Sequence, residues 1–324
     1  MSEHNTALVE KASSNDFLVD VLTGLSASPR NLPCKYLYDQ RGSQLFDDIC
    51  ELEEYYLTRT ELEIMKRYAS EMAEEIGAGA VLVEYGSGSS LKTPLLLDQL
   101  IDLVAYVPVD ISFEHLHESA DKLSENFAKL SVLPVCADFL ARFELPQFER
   151  KATKTAVYFP SSTIGNFDPG MAKELLENIT SQCGQGGSLL IGIDLQKEIS
   201  TIEAAYNDAK GLTASFSLNI LNRINCELAG DIKPEQFEHV ANYNEMYGRV
   251  EIGLRSRQAQ VVEIGGEQFA FDQGEEIHTE YSHKYTIEGF AEIASETGLE
   301  FRRAWTDPNE FFAVLHFVVG DESP

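Results

Sequence analysis

The spacing of hydrophobic positions changes near residue 80. Over residues 61–76 apolar side chains recur every three or four positions, which predicts an amphipathic helix that Gly77 and Gly79 end. Beyond Ala80 the apolar side chains form short unbroken runs, as in parallel strands that helices cover on both faces. The predicted strands are 80–85, 103–109, 132–137, 156–159 and 188–193.

Helical segments alternate with these runs, at residues 93–101, 113–129 and 172–183. Repeated strand-then-helix order predicts an α/β fold with a doubly wound, mostly parallel sheet and right-handed crossovers. After Asp194 the repetition stops. The later segments are predicted to be long helices over 198–225, antiparallel strands over 250–271, a helix over 287–297 that Thr286 caps, and two closing strands over 299–319.

The length indicates more than one folding unit. At roughly 100–200 residues per domain, a chain of 324 residues is expected to form two domains, or one α/β domain with a large insertion. Residues 1–60 are predicted to be largely helical and polar, and no low-complexity linker divides the chain. We therefore expect one domain from residues 61–195 plus 286–324, and a second, α+β domain from residues 1–60 plus 196–285.

Charge limits the partners that the protein can have. The chain has 25 Lys and Arg against 53 Asp and Glu, a formal net charge of -28. Nucleic acids and anionic membranes both repel such a surface, so we expect neither as a partner. No segment resembles a signal peptide or a membrane span, and the five scattered cysteines contain no C-x-x-C pair. We expect a cytoplasmic monomer without a metal site.

Candidate cofactor residues stand at the ends of successive predicted strands. Gly86 and Gly88 form a Gly-x-Gly turn after the first strand, where the backbone can approach a ligand closely. Asp110 ends the second strand, where a carboxylate can accept both hydroxyls of a ribose. Asp138 and Phe139 end the third and offer an acceptor and an aromatic wall beside a base. Together these residues predict a nucleoside cofactor.

Two nucleoside cofactors fit this pattern, nicotinamide dinucleotides and S-adenosylmethionine. A dinucleotide site has a third glycine where the helix opens, and this chain has Leu91 there. Glu84 precedes the turn, and an acidic side chain suits the ammonium of a methionine tail better than it suits a phosphate. The pattern favours S-adenosylmethionine.

Several motifs resemble one known family. Residues 36–47 (YLYDQRGSQLFD), 52–61 (LEEYYLTRTE), 84–88 (EYGSG), 162–166 (STIGN), 205–208 (AYND) and 276–284 carry the resemblance, which extends over nearly the whole chain. They resemble the histidine Nα-methyltransferases of ergothioneine biosynthesis. The resemblance implies a Rossmann-like class I methyltransferase core, formed by the first domain, and a substrate-binding second domain. It also implies the transfer of three methyl groups from S-adenosylmethionine to the α-nitrogen of L-histidine, giving hercynine.

The resemblance also implies where each ligand binds. Lys92 would line the cofactor together with the glycine turn, Asp110, Asp138 and Phe139. Asn166 and Tyr206 would hold the carboxylate and amine of the substrate. The catalytic group would be Tyr38, which we expect to orient the amine or relay its proton and not to act as an essential base.

The remaining implied residues surround the imidazole. Tyr55 would lie near the ring, and Glu280 and Ser282 would recognise its nitrogens. Residues two apart in an extended segment share a face, so Glu280 and Ser282 offer a carboxylate and a hydroxyl to one ligand. Ser161 is a departure, because the family typically has glycine at that position.

Other functions remain open at this stage. The same chemistry could act on another aromatic amino acid, although Glu280 and Ser282 favour imidazole over indole. An NAD-dependent oxidoreductase is a second alternative, opposed by Leu91. A catalytically silent cofactor-binding or scaffold protein is a third, and the complete set of substrate-pocket residues opposes it.

Overall fold

The computed structural model describes residues 14–88 and 92–320, so the prediction about Leu91 lies outside the described residues. The helices of this part of the chain are α1 Ser14–Ser26, α2 Gln40–Cys50, α3 Tyr56–Ile76, α4 Thr93–Leu97, α5 Phe113–Asn126, α6 Pro169–Cys183, α7 Ile199–Tyr206, α8 Leu212–Leu228 and α9 Ile287–Ser295. The strands are β1 Arg30–Asn31, β2 Val81–Tyr85, β3 Ala105–Asp110, β4 Val135–Cys136, β5 Thr155–Phe159, β6 Ser188–Asp194, β7 Phe237–Asn244, β8 Arg249–Ser256, β9 Gln260–Ile264, β10 Glu267–Phe271, β11 Glu276–His283, β12 Leu299–Thr306 and β13 Phe312–Val319.

The main sheet has the predicted α/β architecture. Its strand order is β12-β13-β6-β5-β2-β3-β4, with parallel pairing from β6 to β4 and antiparallel pairing of β13 and β12 at the other edge. The chain leaves β2 toward β3 on one side and returns to β5 on the other. The carboxyl ends of β2 and β5 therefore form a topological switch point, where ligands bind in open α/β sheets.

A second sheet lies beside the first. It has the order β1-β11-β8-β7, and β9 and β10 form a separate hairpin. The two sheets meet where Leu195, after β6, makes an isolated parallel bridge with Tyr285, after β11. The strands of the second sheet and hairpin come from the residues predicted for the substrate domain, but the domain boundaries themselves stay a prediction.

Burial explains why these segments form strands and helices. Every residue of β2 and β6 is buried, as the unbroken apolar runs predict. The antiparallel strands within 250–271 and the two closing strands are confirmed. Thr286 is the N-cap of α9, as predicted, because its hydroxyl accepts a hydrogen bond from the Gly289 amide at 3.0 Å. Such caps stabilise a helix by about 1 kcal/mol.

The sequence interpretation was wrong in three places. The helix predicted over 93–101 ends at Leu97 and passes into a turn at Asp98, and Arg150 binds the backbone oxygens of Asp102 and Leu103 in the loop that follows. The strand predicted over 132–137 keeps only Val135–Cys136, since Pro134 has no N–H to donate to the sheet. The strands β1 and β7 were not predicted.

Candidate active site

Two adjoining cavities lie above the carboxyl edge of the main sheet. The larger, of about 620 Å³, opens beside the ends of β2 and β3, and all residues predicted for the cofactor line it. The smaller, of about 50 Å³, lies between the two sheets, and all residues predicted for the substrate, with Tyr38, line it. Both cavities share walls formed by Tyr38, Phe46, Ser161, Thr163, Asn166 and Glu280. We call them the cofactor compartment and the substrate compartment.

The glycine turn after β2 positions the carboxylate at the end of β3. Gly86 and Gly88 have φ values of 66° and 47°, which only glycine adopts without strain. The Gly88 amide donates a hydrogen bond of 3.0 Å to one oxygen of Asp110, and the Ser112 amide donates one of 2.9 Å to the other. The backbone thus fixes Asp110 facing the cofactor compartment.

Glu84 is buried beneath the same turn. Its oxygens accept hydrogen bonds from the hydroxyls of Thr93 and Tyr106, and it still lines the cofactor compartment. Burial raises the pKa of Glu84 to about 7, against the opposing effect of these hydroxyls. A cation placed beside this carboxylate would favour its ionised form.

Aromatic rings form the far wall of the cofactor compartment. Phe139 stacks on Tyr85 with ring centroids 5.5 Å apart and lies edge-on to Phe159. The Asp138 carboxylate, beside Phe139, lies 3.8 Å from the Lys35 ammonium. Lys35 lies between β1, a strand of the second sheet, and α2. A segment next to the second sheet therefore reaches the wall of the cofactor compartment.

Lys92 lines the cofactor compartment and is held between Glu61 and Ser161, of which Ser161 belongs to the wall common to both compartments. Its ammonium pairs with the fully buried Glu61 carboxylate and donates a hydrogen bond of 2.5 Å to the Ser161 hydroxyl. The Ser161 amide in turn donates to Glu61 at 3.0 Å. Gly192 makes room for this carboxylate, since a Cβ at that position would lie 2.6 Å from a Glu61 oxygen.

Ser161 has a backbone conformation that suits glycine. Its φ is 68°, and that of Ser162 is 58°, both in the left-handed region. The residue typical of the family at position 161 is therefore the one that this turn accommodates without strain. The Ser161 hydroxyl points to Lys92, on the cofactor side of the common wall.

Glu280 is the centre of the polar wall in the substrate compartment. One of its oxygens accepts hydrogen bonds from the Asn166 amide at 2.9 Å and, more weakly, from the Tyr38 hydroxyl at 3.5 Å. Burial raises the pKa of Glu280 to about 8, although Tyr38 and Lys284 favour the carboxylate. The structure thus brings together three residues that the sequence predicted for the substrate.

Tyr206 and Ser282 form a second polar group. Their hydroxyl oxygens are 2.7 Å apart, and the buried Lys284 ammonium donates to both, at 2.8 and 2.7 Å. Lys284 also pairs with Asp194 at 2.7 Å, and both side chains are fully buried.

Aromatic side chains enclose the rest of the substrate compartment. Tyr38 lies edge-on to Phe216 and Phe46, at 5.3 and 5.7 Å between ring centroids, and Tyr55 lies edge-on to Phe46 and Tyr206. Burial raises the pKa of both Tyr38 and Tyr55 well above the usual range. Both phenols therefore remain protonated donors at neutral pH.

Sequence reasoning missed Glu61, Asp194 and Lys284. Glu61 lies among apolar positions on the buried face of α3, and a charged residue on such a face was the available signal. Lys284 follows Glu280 and Ser282 in the same two-residue alternation, so extending that pattern by one step would have found it. Asp194 had no comparable signal, because its partners lie far away in the sequence.

The part of the chain that the structure describes has neither a group of metal-ligating side chains nor a membrane-spanning helix. Among the described residues, no group of three or more His, Cys, Asp and Glu side chains is arranged to hold a metal ion. In the same part of the chain, no helix combines the length and hydrophobicity needed to cross a bilayer.

Comparison with known proteins gives three findings. Residues 17–319 match the family model described as "Histidine-specific methyltransferase, SAM-dependent". Histidine N-alpha-methyltransferase of Mycolicibacterium smegmatis is 39% identical over 295 residues, covering 89% of this chain and 90% of that protein. Ergothioneine biosynthesis protein 1 of Neurospora crassa is 33% identical over 298 residues, covering 87% of this chain and 32% of the fungal protein.

A likeness among solved structures extends to the fold alone. The crystal structure of a possible exported protein from Bordetella parapertussis has a TM-score of 0.50 at 11% identity. The match covers 86% of this chain and 79% of that one.

Proposed function

The chain belongs to the histidine-specific, S-adenosylmethionine-dependent methyltransferases, and on that premise we propose that it trimethylates the α-nitrogen of L-histidine to give hercynine, as in ergothioneine biosynthesis. One observation carries the proposal. The substrate compartment adjoins the cofactor compartment through a common wall that contains Tyr38, Asn166 and Glu280. A methyl donor in one compartment can therefore meet an amine held in the other.

Asp110 and its neighbours would hold the nucleoside of the cofactor. Asp110, fixed by two backbone amides, would accept the ribose hydroxyls, and Asp138 and Phe139 would bind the base. Lys92 uses two of its three N–H groups on Glu61 and Ser161, which leaves one for the carboxylate of the methionine tail. Glu84 would balance the charge of the ammonium of that tail.

Polar groups at the two ends of the substrate compartment would orient histidine. A neutral imidazole has one donor and one acceptor nitrogen. Glu280 would accept from its N–H, and Ser282 would donate to the other nitrogen. Asn166 and Tyr206 would hold the carboxylate and amine, with Tyr55 beside the ring, so that the α-nitrogen faces the common wall.

Methyl transfer to nitrogen is a direct displacement in which a neutral amine attacks the sulfonium methyl group. An α-amino group has a reference pKa of about 7.7–8.0 in peptides, so a substantial fraction is neutral near that pH. Tyr38 cannot serve as an anionic base, because burial keeps its phenol protonated. It would orient the amine as a hydrogen-bonding partner, and the tyrosine rings would stabilise the methylated cation through their π faces.

A second aromatic amino acid is the remaining alternative substrate. Glu280 argues against it, because an apolar ring would leave this buried carboxyl group with no new partner in the compartment. The monomeric state and the cytoplasmic location stay predictions, and the net charge of -28 argues against nucleic-acid and anionic-membrane partners.

Purified protein incubated with labelled S-adenosylmethionine and each aromatic amino acid in turn tests the proposal. We expect label in histidine, and mass spectrometry should show a product with three methyl groups on the α-nitrogen. Label that appears in tryptophan or phenylalanine but not in histidine would contradict the assignment. Incubation with histidine but without cofactor is the control.

A further inference from the structure

The polar group behind Tyr206 and Ser282 contains charged residues that the substrate cannot reach. Lys284 and Asp194 are fully buried and line neither compartment. Lys284 follows β11 and Asp194 ends β6, so this ion pair lies where the two sheets meet. Its position connects the scaffold of the cofactor compartment to the wall of the substrate compartment.

The three N–H groups of Lys284 fix the hydrogen-bonding roles of the Tyr206 and Ser282 hydroxyls. An ammonium has three N–H groups, and Lys284 directs them to Asp194, Tyr206 and Ser282. One hydroxyl of the pair must donate to the other across the 2.7 Å that separates their oxygens. The remaining O–H has no acceptor among the residues that the structure describes, and both side chains line the substrate compartment.

We propose that Lys284 is a positioning residue that makes the Tyr206 and Ser282 pair present one hydroxyl hydrogen to an acceptor on the substrate. Lys284 donates to a lone pair on each hydroxyl oxygen, so it fixes the orientation of both hydroxyls. It also strengthens the hydrogen bond that the pair donates to the substrate. The acceptor on histidine is the unprotonated imidazole nitrogen or the carboxylate. The inference rests on the proposed function, since histidine is taken as the ligand.

The environment keeps Lys284 charged. Burial disfavours its ammonium, but Asp194 and the Tyr206 oxygen outweigh burial, so the pKa of Lys284 lies above its usual value. Asp194 has other partners as well. It lies 2.5 Å from the Lys197 ammonium and accepts a hydrogen bond of 2.8 Å from the Tyr56 hydroxyl. Removing Lys284 therefore leaves Asp194 paired with Lys197 and Tyr56, so we expect the variant to fold.

Lys197 provides a matched control. It is a nearly buried lysine that binds the same carboxylate, but it contacts neither Tyr206 nor Ser282 and lines neither compartment. We expect Lys284→Met to raise the KM for histidine by about tenfold or more, with kcat changed by less than about threefold. Lys197→Met should change that KM by less than about twofold, and S-adenosylmethionine affinity should be unchanged in both.

A mutant cycle separates positioning from a purely structural role. In the Tyr206→Phe/Ser282→Ala background both hydroxyls are absent, so adding Lys284→Met should raise the KM by less than about twofold further. If the full increase persists in that background, or if Lys284→Met and Lys197→Met have the same KM, the proposal is wrong. Should Lys284→Met not fold, Lys284→Gln and Lys197→Gln provide the same comparison.

Substrate analogues identify the acceptor. If the hydroxyl donates to the imidazole, the effect of Lys284→Met should vanish with phenylalanine as the substrate or ligand. If it donates to the carboxylate, the effect should vanish with histamine, which has no oxygen in place of the carboxylate, and persist with phenylalanine. An effect of equal size with all three ligands would overturn the proposal. A wild-type enzyme that does not methylate histidine would instead refute the proposed function, and calorimetric histidine affinity would then test Lys284 separately.

Discussion

The cofactor compartment and the substrate compartment are built in different ways. The cofactor side depends on backbone turns at neighbouring strand ends, such as the Gly88 amide that binds Asp110, 22 residues away. The substrate side depends on contacts between side chains that are distant in sequence, such as those of Tyr38 and Glu280, 242 residues apart. The glycine turn and Asp110 belong to one sheet, whereas the substrate site exists only when the two sheets are assembled.

The two compartments also stabilise their carboxylates differently. On the cofactor side, two backbone amides bind Asp110, and the hydroxyls of Thr93 and Tyr106 bind Glu84. In the substrate compartment, the described residues give Glu280 only the Asn166 amide and a weak phenol contact, and burial raises its pKa to about 8. Asp110 is therefore fixed before a ligand arrives, while Glu280 lacks a full set of donors that an imidazole N–H can complete.

The largest effect that separates the compartments should come from Glu280→Ala. A charge-assisted hydrogen bond of about 1.5–3 kcal/mol would be lost with histidine, which corresponds to roughly tenfold to a hundredfold or more in kcat/KM. Phenylalanine never made that bond and should lose little, so the histidine-to-phenylalanine ratio should fall. Steady-state kinetics with both substrates measures it. An equal loss for both would show that Glu280 does not recognise the imidazole.

Asp110→Ala should cause a loss of similar size that is confined to ligand binding in the cofactor compartment. We expect S-adenosylmethionine and S-adenosylhomocysteine to bind more weakly by about 1.5–3 kcal/mol, because two ribose hydroxyls lose their charged acceptor. Calorimetry measures this loss. Histidine KM at saturating cofactor should remain close to the wild-type value. Unchanged cofactor affinity would remove Asp110 from the site.

A smaller effect should be a pH-dependent difference in kcat/KM between the wild type and the Glu280→Gln variant. Since the pKa of Glu280 is raised to about 8, the carboxylate that accepts the imidazole N–H forms as pH rises through that value. The ratio of wild-type to Glu280→Gln kcat/KM should increase from pH 7 to about 9 and then level off. Deprotonation of the substrate amine affects both enzymes and cancels in the ratio. A flat ratio would contradict the assignment.

The same pKa has a consequence for stability. The folded-state pKa of Glu280 lies above its unfolded value of about 4.3, so the folded protein binds the extra proton between these two values. Its contribution to stability is therefore complete below about pH 4.3 and is lost progressively as pH rises from there to about 8. The melting temperature of the wild type relative to Glu280→Gln should fall over that window.

The smallest effect should come from Ser161, on the wall between the compartments. At a φ of 68°, Ser161→Gly should be more stable than Ser161→Ala by roughly 1 kcal/mol, because only glycine relieves the strain. Both variants remove the hydroxyl from Lys92, so cofactor affinity should change a few-fold at most and histidine KM less. Thermal melts and calorimetry test this. A larger change in histidine KM would mean that the hydroxyl faces the substrate.

The comparison also explains what the sequence could predict. The parallel sheet, the glycine turn and Asp110 follow from local periodicity and from residues at strand ends, which sequence reasoning reads directly. Glu280, Tyr206 and Tyr38 were placed by resemblance, since nothing in their local sequence shows that they meet. The loop at Asp102 and Leu103 is held by a distant arginine, and the shortened β4 depends on a missing proline N–H. Lys284 was missed because the two-residue spacing of Glu280 and Ser282 was not extended by one step.

Gly192 restricts how this protein can diverge. Any side chain at that position would meet the Glu61 carboxylate, so Gly192 and Glu61 cannot vary independently. A lineage could acquire a side chain at position 192 only after both Glu61 and Phe312, whose ring lies 2.9 Å from the same Cβ position, had been replaced by smaller residues. After that step glutamate could not return to position 61 until glycine was restored, so the loss would be difficult to reverse. Aligned sequences should therefore show a glutamate at position 61 only beside a glycine at position 192.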